Sequence, residues 1–340
     1  MTVEPFHGTA AEWDALVART PGGTHFHRHG WRDVIETAFG HECLWLATRD
    51  GNGALGGVLP LVRVRSRLFG HYLVSMPFVN YGGPLGTDEA VRALADHAQA
   101  RARDDGARLL ELRSRVPLPI DLPVSHRKIT VLLDLAAGDP DAVWKGLDGK
   151  LRSQVRRPQK ENVTVRFGLD QLDAFYDVFA RHMRDLGTPV HSRRLFDSIA
   201  ARFGPDVWIG CAYHADKAVA AGWAFRWGDE VEITWASALA AYNRLAPNML
   251  LYWSFIERAA REGLRMFNFG RCTPGSGTHR FKRQWGGRDE QLHWYQWSAN
   301  ATAATPSPDD ARYAWGPRLW KRLPLPVASW LGPRLVRFIP

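Results

Sequence analysis

The sequence predicts an α/β protein of 340 residues in which one structural unit occurs twice. Helical and strand periodicities alternate along both halves, and each half places its hairpin signals at a comparable distance from a closing helix–strand junction. The junctions themselves match: Asp105-Gly106-Ala107-Arg108-Leu109-Leu110-Glu111-Leu112-Arg113 parallels Glu262-Gly263-Leu264-Arg265-Met266-Phe267-Asn268-Phe269-Gly270-Arg271. In both, an acidic residue and a glycine end a helix, with the glycine in the left-handed capping position, and an arginine opens the next strand. This length fits about two domains. The expected division is 1–145, 146–300 and a tail over 301–340.

In order, the first half opens with a helix over Ala11–Arg19, a polar loop and a second helix over Trp31–Phe39. A strand at Cys43–Thr48 meets the turn signal Asp50-Gly51-Asn52-Gly53. The returning strand, Gly57–Arg67, alternates Val62 and Val64 with Arg63 and Arg65, the period of a half-buried strand. An apolar run to Val79, the turn Tyr81-Gly82-Gly83-Pro84, a helix over Asp88–Asp104 and a strand at Ala107–Arg113 complete the unit. A strand at Lys128–Leu135 lies between the copies. The second copy predicts helices at Leu172–Arg184 and Ser192–Phe203, then strands at Val207–Tyr213, Ala218–Trp227 and Val231–Ser237. A long helix over Pro247–Arg261 and a strand at Arg265–Phe269 end it. After Trp297 the composition turns to Ala, Thr, Ser and Pro, as in a linker, before a basic, Trp-bearing terminus.

Composition narrows the function classes. The chain is 45% hydrophobic and 23% charged, ample for a core in each half and unlike a disordered chain. Cys43, Cys211 and Cys272 are odd in number and far apart, so they form neither a disulfide framework nor a metal knuckle, which suits a reducing cytoplasm. The first twenty residues lack a basic segment followed by an apolar one, and no run of about 18 apolar residues occurs, so neither a signal peptide nor a membrane span is expected. The net charge is +9, and from Ala311 to Pro340 six Lys or Arg stand without one Asp or Glu. Such a balance favours an anionic partner. Trp315, Trp320 and Trp330 alternate there with Arg318, Lys321, Arg322, Arg334 and Arg337, the composition of a segment lying on an anionic membrane. Pro317, Pro324, Pro326 and Pro333 predict short turns of helix at most. The alternative is that these tryptophans pack back onto the second domain. A nucleic-acid role is suggested by the sequence pI of 9.7, but the basic residues form no recognisable reader motif.

Several side chains carry candidate chemistry. Arg152, Arg156 and Arg157 share a helix face at i, i+4 and i+5, which suits bidentate phosphate contact as well as a solvated face. Arg113 and Arg271 stand at equivalent strand ends, and Asn268, Gly270 and Arg271 abut a Gly-rich loop that leads to Lys282. Asn80 and Tyr81 precede a glycine pair that permits close backbone approach. His25, His27 and His29 would project to one side of an extended strand, but no acidic or Cys ligand accompanies them, so no metal is expected. Cys272 has no base beside it in sequence, and no Gly-rich pyrophosphate loop opens a helix, which weighs against an ordinary acetyl-CoA enzyme.

Four stretches, Leu73–Gly86 (LVSMPFVNYGGPLG), Lys150–Lys160 (KLRSQVRRPQK), Asn243–Arg271 (ending MFNFGR) and Gly277–Gly286 (GTHRFKRQWG), resemble the FemAB group of acyl- and aminoacyl-transfer enzymes. The likeness is to its relatives associated with PEP-CTERM and exosortase loci in particular, and it runs from about Phe26 to Trp297. It implies two tandem GNAT-like domains with an acceptor cleft between them. It also implies transfer of an activated acyl or aminoacyl group to an amine of a cell-envelope precursor, peptidoglycan or a lipid-linked exopolysaccharide. Lys282 matches the lysine of the family's Phe-Lys motif, implicated in stabilising the reacting intermediate. Asn80, Tyr81, Arg113, Arg152, Arg156, Arg157, Asn268 and Arg271 are then the candidate substrate-binding residues. The resemblance implies no permanently bound cofactor. The donor is a co-substrate, aminoacyl-tRNA or an acyl thioester, and the absence of a long coiled-coil insertion weighs against tRNA. The expected location is the cytoplasm, peripheral at the membrane's inner face. The rival reading is a non-catalytic module that holds anionic glycan or lipid precursors.

Overall fold

The computed structural model describes residues 1–66, 70–299 and 315–339. The expected linker at 301–314, with Arg312, and Arg67 lie outside the described residues. In chain order the elements are β1 (Val3–Pro5), α1 (Ala10–Arg19), α2 (Trp31–Phe39), β2 (Glu42–Arg49), β3 (Leu55–Ser66) and β4 (Gly70–Ser75). Then follow β5 (Leu85–Gly86), α3 (Asp88–Asp104), β6 (Leu109–Ser114), β7 (Val124–Ser125), β8 (Ile129–Asp134), α4 (Pro140–Gly146), α5 (Gly149–Lys160) and β9 (Val163–Phe167). The rest are α6 (Leu172–Leu186), α7 (Arg193–Phe203), β10 (Val207–His214), β11 (Lys217–Trp227), β12 (Glu230–Ala238), α8 (Pro247–Arg261), β13 (Met266–Cys272), α9 (Gly277–Arg283), β14 (Arg288–Gln291), β15 (His293–Ser298), α10 (Trp315–Trp320) and α11 (Leu325–Val336).

Local chemistry sets the helix ends. Thr9 and Thr87 accept backbone N–H groups at the starts of α1 and α3. Gly40 follows α2 in the left-handed conformation, and the paired junction glycines Gly106 and Gly263 have φ of +64° and +78°. In α8, Leu251, Phe255, Ile256 and Ala259 recur at helical spacing and are fully buried. Each large apolar side chain there contributes about 1.5–3 kcal/mol.

The chain forms two compact units. The first holds the sheet β1-β2-β3-β4-β6-β15-β7, with β5 beside β3, and the second holds β14-β8-β13-β12-β11-β10-β9. Each contains a parallel pair, β4 with β6 and β12 with β13. The observed division falls at Lys128/Ile129 rather than after residue 145, and it is not contiguous. β8 pairs antiparallel with β13 in the second sheet, whereas β15, from the far end of the chain, pairs with β6 in the first. Each junction strand thus takes its antiparallel neighbour from the other half of the sequence. Periodicity identifies a strand but not its partner.

Three expectations need correction. Arg63, read as solvent-facing, is buried and ion-paired with Glu42 and Asp105, because helices and loops cover that face of β3. The segment holding the three histidines is not extended: His25–His27 is a turn of 3-10 helix. There the ring of His27 is bonded to Thr24 and the Gly83 carbonyl, and burial holds its pKa at about 4. In the tail, α11 runs for twelve residues with Pro333 inside it, longer than its prolines suggested. Pro326 sits in the first turn, where the missing N–H has no partner to lose.

Candidate functional site

The second unit's parallel pair makes a fork. β12 and β13 share three rungs, Glu230–Met266, Val231–Phe267 and Glu232–Asn268. Beyond them β12 stays with β11, and β13 stays with β8. Trp223 pairs with Trp235 and Ala224 with Ile233, which leaves Thr234 as the extra residue of a β-bulge just past the last rung. The bulge flips the alternation: Ile233 joins the core against α8, while Trp235 joins Phe196 and Trp223. The buried Thr234 hydroxyl oxygen has no partner among the described residues. A second irregularity, between Asn268 and Arg271, lets Gly270 adopt φ +70°.

Asn268 organises the base of the fork and is itself fully buried. Its Nδ2 donates to Glu230 Oε1 (2.8 Å) and Glu232 Oε2 (3.4 Å), and its Oδ1 accepts from Thr130 Oγ1 (2.5 Å) and the Gly270 N–H (2.8 Å). Both ends of the amide are spent, so Asn268 acts here as a positioning residue. Glu232 is buried beside it, on the face opposite Val231 and Ile233.

Lys282 enters from α9, which Ser276 caps by accepting the His279 N–H. The preceding turn is braced by Gly275 N–H donating to His279 Nδ1 (3.0 Å), which leaves the ring proton on Nε2 facing Asp289 (3.0 Å). Only 4% exposed, Lys282 donates through Nζ to the Gly270 carbonyl (2.7 Å) and the Arg271 carbonyl (3.0 Å). Two of the three ammonium donors are thereby used. Burial holds the pKa down at about 8, with Cys272 and Glu232 pulling it back up and Arg271 pushing it further down. Lys282, Glu232, Asn268, Arg271 and Cys272 therefore share one electrostatic neighbourhood, and an ammonium prevails at neutral pH. Cys272 is buried, and burial keeps the neighbouring Tyr252 phenol protonated.

The helix after the fork bears on anion binding. α8 starts at Pro247 after Ala246 (φ +53°), with no side-chain cap and no acidic residue in its first turn. No side-chain charge neutralises its positive dipole end, although Pro247 offers no N–H and the Met249 N–H already donates to the Ala246 carbonyl. The corresponding helix of the first unit, α3, is capped by Thr87 and carries Asp88 and Glu89. No glycine-rich loop marks the α8 terminus in the sequence, so the signal was missing there.

The other predicted residues fall elsewhere. Arg152, Arg156 and Arg157 lie on α5, whose Leu151, Val155 and Pro158 are buried. Arg152 donates to the Lys145 carbonyl, Arg156 stands over Trp144, and Arg157 is exposed. Asn80, Tyr81 and Arg113 belong to the first unit and are buried. Tyr81 packs edge-on against Phe26 in the core. Arg113 donates to Glu111 Oε1 (2.7 Å), stands 4.5 Å from the Trp294 ring centre, and shares Glu111 with Gln296. A guanidinium so enclosed braces its own sheet, in contrast to the substrate contact expected of it. Glu232 was missed by sequence reasoning. Its trace was there, in acids at 230 and 232 alternating with Val231 and Ile233 inside an apolar strand. Among the described residues no group of three or more His, Cys, Asp or Glu could hold a metal.

Residues 149–283 match the family described as an acetyltransferase (GNAT) domain. Among curated protein sequences, none matches this one. Among solved structures, FemX superposes with a TM-score of 0.65 at 14% identity, over 87% of this chain and 97% of that one. The C-terminal domain of a putative lysylphosphatidylglycerol synthetase from Agrobacterium fabrum gives 0.57 at 14%, over 86% and 91%. A tandem GNAT protein from the clavulanic acid biosynthesis pathway gives 0.53 at 14%, over 87% and 96%. At such identities the likeness establishes the fold: two tandem GNAT-like domains of FemAB-like type.

Proposed function

We propose that the second unit, whose residues 149–283 match a GNAT acetyltransferase domain, carries the chemistry and transfers an acyl or aminoacyl group to an amine of a cell-envelope precursor. The observation that carries this reading is the buried Lys282 ammonium, fixed by two carbonyls beside the buried Glu232 carboxylate at the strand fork. In the reaction the acceptor nitrogen attacks the donor carbonyl, and the C–N bond forms as a tetrahedral intermediate. The third N–H of Lys282 stabilises the oxyanion, and Glu232 takes the amine proton. Collapse breaks the bond to the leaving group, which receives that proton. The uncapped start of α8 suits the phosphates of a thioester donor, and this favours a CoA-type thioester over aminoacyl-tRNA. Arg271 and the α5 arginines are assigned to an anionic acceptor, with Asn268 holding Glu232 in place. Asn80 and Tyr81 stay inside the first unit and support its fold.

The likeness to FemX and to a putative lysylphosphatidylglycerol synthetase domain supports an envelope acceptor, and a location at the inner face of a membrane belongs to the same reading. Glu232→Gln tests the mechanism. It keeps a hydrogen-bond partner for Asn268 and removes the base, so kcat falls about 10²–10⁴-fold. The low-pH limb of the pH–rate profile disappears, and the donor KM hardly changes. A variant with full kcat and an unaltered pH profile would remove Glu232 from the reaction.

A further inference from the structure

We propose that the exposed face of α10 and α11 is a docking surface for an anionic membrane. α11 has two faces. Ala328, Gly332 and Val336, spaced at i, i+4 and i+8, turn inward: Ala328 and Val336 are buried, and a Cβ on Gly332 would meet the Val190 backbone at 2.8 Å. Val327, Trp330 and Arg334, spaced at i, i+3 and i+7, turn outward, with Trp330 59% exposed. α10 is seated the same way. Its Pro317 abuts Gly187, while Leu319 is 55% exposed and Arg318 points to solvent. Arg184 donates to the Leu323 carbonyl and pins the turn between the helices, where Lys321 and Arg322 are exposed. One face of the tail therefore packs down, and the other is left open.

What the open face presents decides its occupant. Leu319, Val327 and Trp330 are three of the seven large apolar side chains left exposed among the described residues, and a fourth, Leu186, precedes the Gly187–Pro317 contact. Scattered surface apolar residues need no explanation, but this concentration does. Between them stand Arg318, Lys321, Arg322 and Arg334, and residues 315–339 contain no Asp or Glu. A second copy of the same face would oppose cation to cation. A nucleic acid would use the cations and leave Leu319 and Val327 in water. An anionic bilayer uses both, with Trp330 at the headgroup level, aliphatic side chains at the acyl boundary and guanidinium groups against lipid phosphate. No described helix is long and apolar enough to cross a bilayer, so the contact is peripheral. This proposal stands on the tail and does not depend on the transfer chemistry.

The test is co-sedimentation of the full-length protein with vesicles of phosphatidylcholine alone or with one quarter phosphatidylglycerol. Binding is expected to the anionic vesicles only, and 0.5 M salt is expected to release it. Each of Arg318→Glu, Lys321→Glu and Arg322→Glu lowers partitioning by at least about fivefold. Leu319→Ser with Trp330→Ser removes exposed side chains, leaves the melting temperature unchanged, and lowers partitioning by about tenfold or more. Three results would each overturn the proposal: equal binding to neutral vesicles, binding unaffected by the Leu319/Trp330 pair, or concentration-dependent self-association without lipid that the same pair abolishes. RNA binding that matches lipid binding and ignores that pair would also overturn it.

Discussion

Replacing Lys282 by Met separates the structural and chemical parts of its role, and the two have different pH signatures. The substitution keeps the length of the side chain and removes an ammonium that is 4% exposed. It leaves the Gly270 and Arg271 carbonyls without their donor, at a cost of about 1–3 kcal/mol for each acceptor that stays unsatisfied, and relieves the burial of a charge. These terms oppose each other at pH 7, so the net change there is small. Alkaline pH resolves them. With a folded pKa of about 8 against an ordinary 10.5, the folded wild type releases a proton that the unfolded chain still holds, so between these values wild-type stability rises with pH. The slope is about 1.4 kcal/mol per pH unit. Below pH 8 the lysine is charged in both states, and that gain is absent. Met cannot titrate, and groups that do not interact with Lys282 cancel in the difference. Urea unfolding of both proteins at pH 7.5, 8.5 and 9.5 should therefore show the wild type gaining on the variant by about that slope above pH 8. Parallel curves would mean that Lys282 is not a buried ammonium. In single-turnover transfer at pH 7.5 the variant should be slower by about 10²–10³-fold, the worth of one oxyanion donor. A rate within a few-fold of wild type would refute the assignment.

Two further substitutions distinguish structure from binding. Arg113→Met takes the guanidinium away from the buried Glu111 carboxylate, so unfolding free energy falls by about 3–5 kcal/mol, read by urea titration. Unchanged stability with a raised acceptor KM would show Arg113 to be a substrate contact after all. Asn248→Glu puts an acid into the first turn of α8 and raises the KM of a phosphate-bearing donor by about two- to fivefold with acceptor KM unchanged. Equal KM values for both proteins would place the donor phosphates elsewhere.

Much of the fold was legible because its boundaries are set by local chemistry. α2, α3 and α8 have the predicted limits, since Gly40, Thr87, Gly106, Pro247 and Gly263 each carry a conformational or capping preference visible in one residue. The exchange of β8 and β15 between sheets was not legible, because an alternating strand satisfies any partner that offers an apolar face. The α11 prolines misled because their cost depends on position within the helix. Of the candidate site, Asn268 and Arg271 were pointed to by the strand-end glycine and the loop that follows it, and Lys282 by that loop together with the resemblance to the Phe-Lys motif. The Glu232 carboxylate could not be ranked above other acids until the Asn268 amide and the β12 bulge placed it at the fork. Arg63 and Arg113 show the converse: a charge that looks available in sequence is spent on a distant partner, Asp105, in the first case and on Glu111, two residues away, in the second.

Transfer itself decides whether the fork in the second unit is catalytic. The full-length protein is incubated with an amine-bearing envelope precursor and either an isotopically labelled acyl thioester or a labelled aminoacyl-tRNA, and the acceptor is weighed by mass spectrometry. Wild type is predicted to form an amide carrying the thioester label, and Lys282→Met and Glu232→Gln, each shown to be folded, to form it at least a hundredfold more slowly. Label arriving from the tRNA alone would contradict the donor assignment. Amide formed at undiminished rate by both variants, or by neither donor although both bind, would contradict acyl transfer at this site.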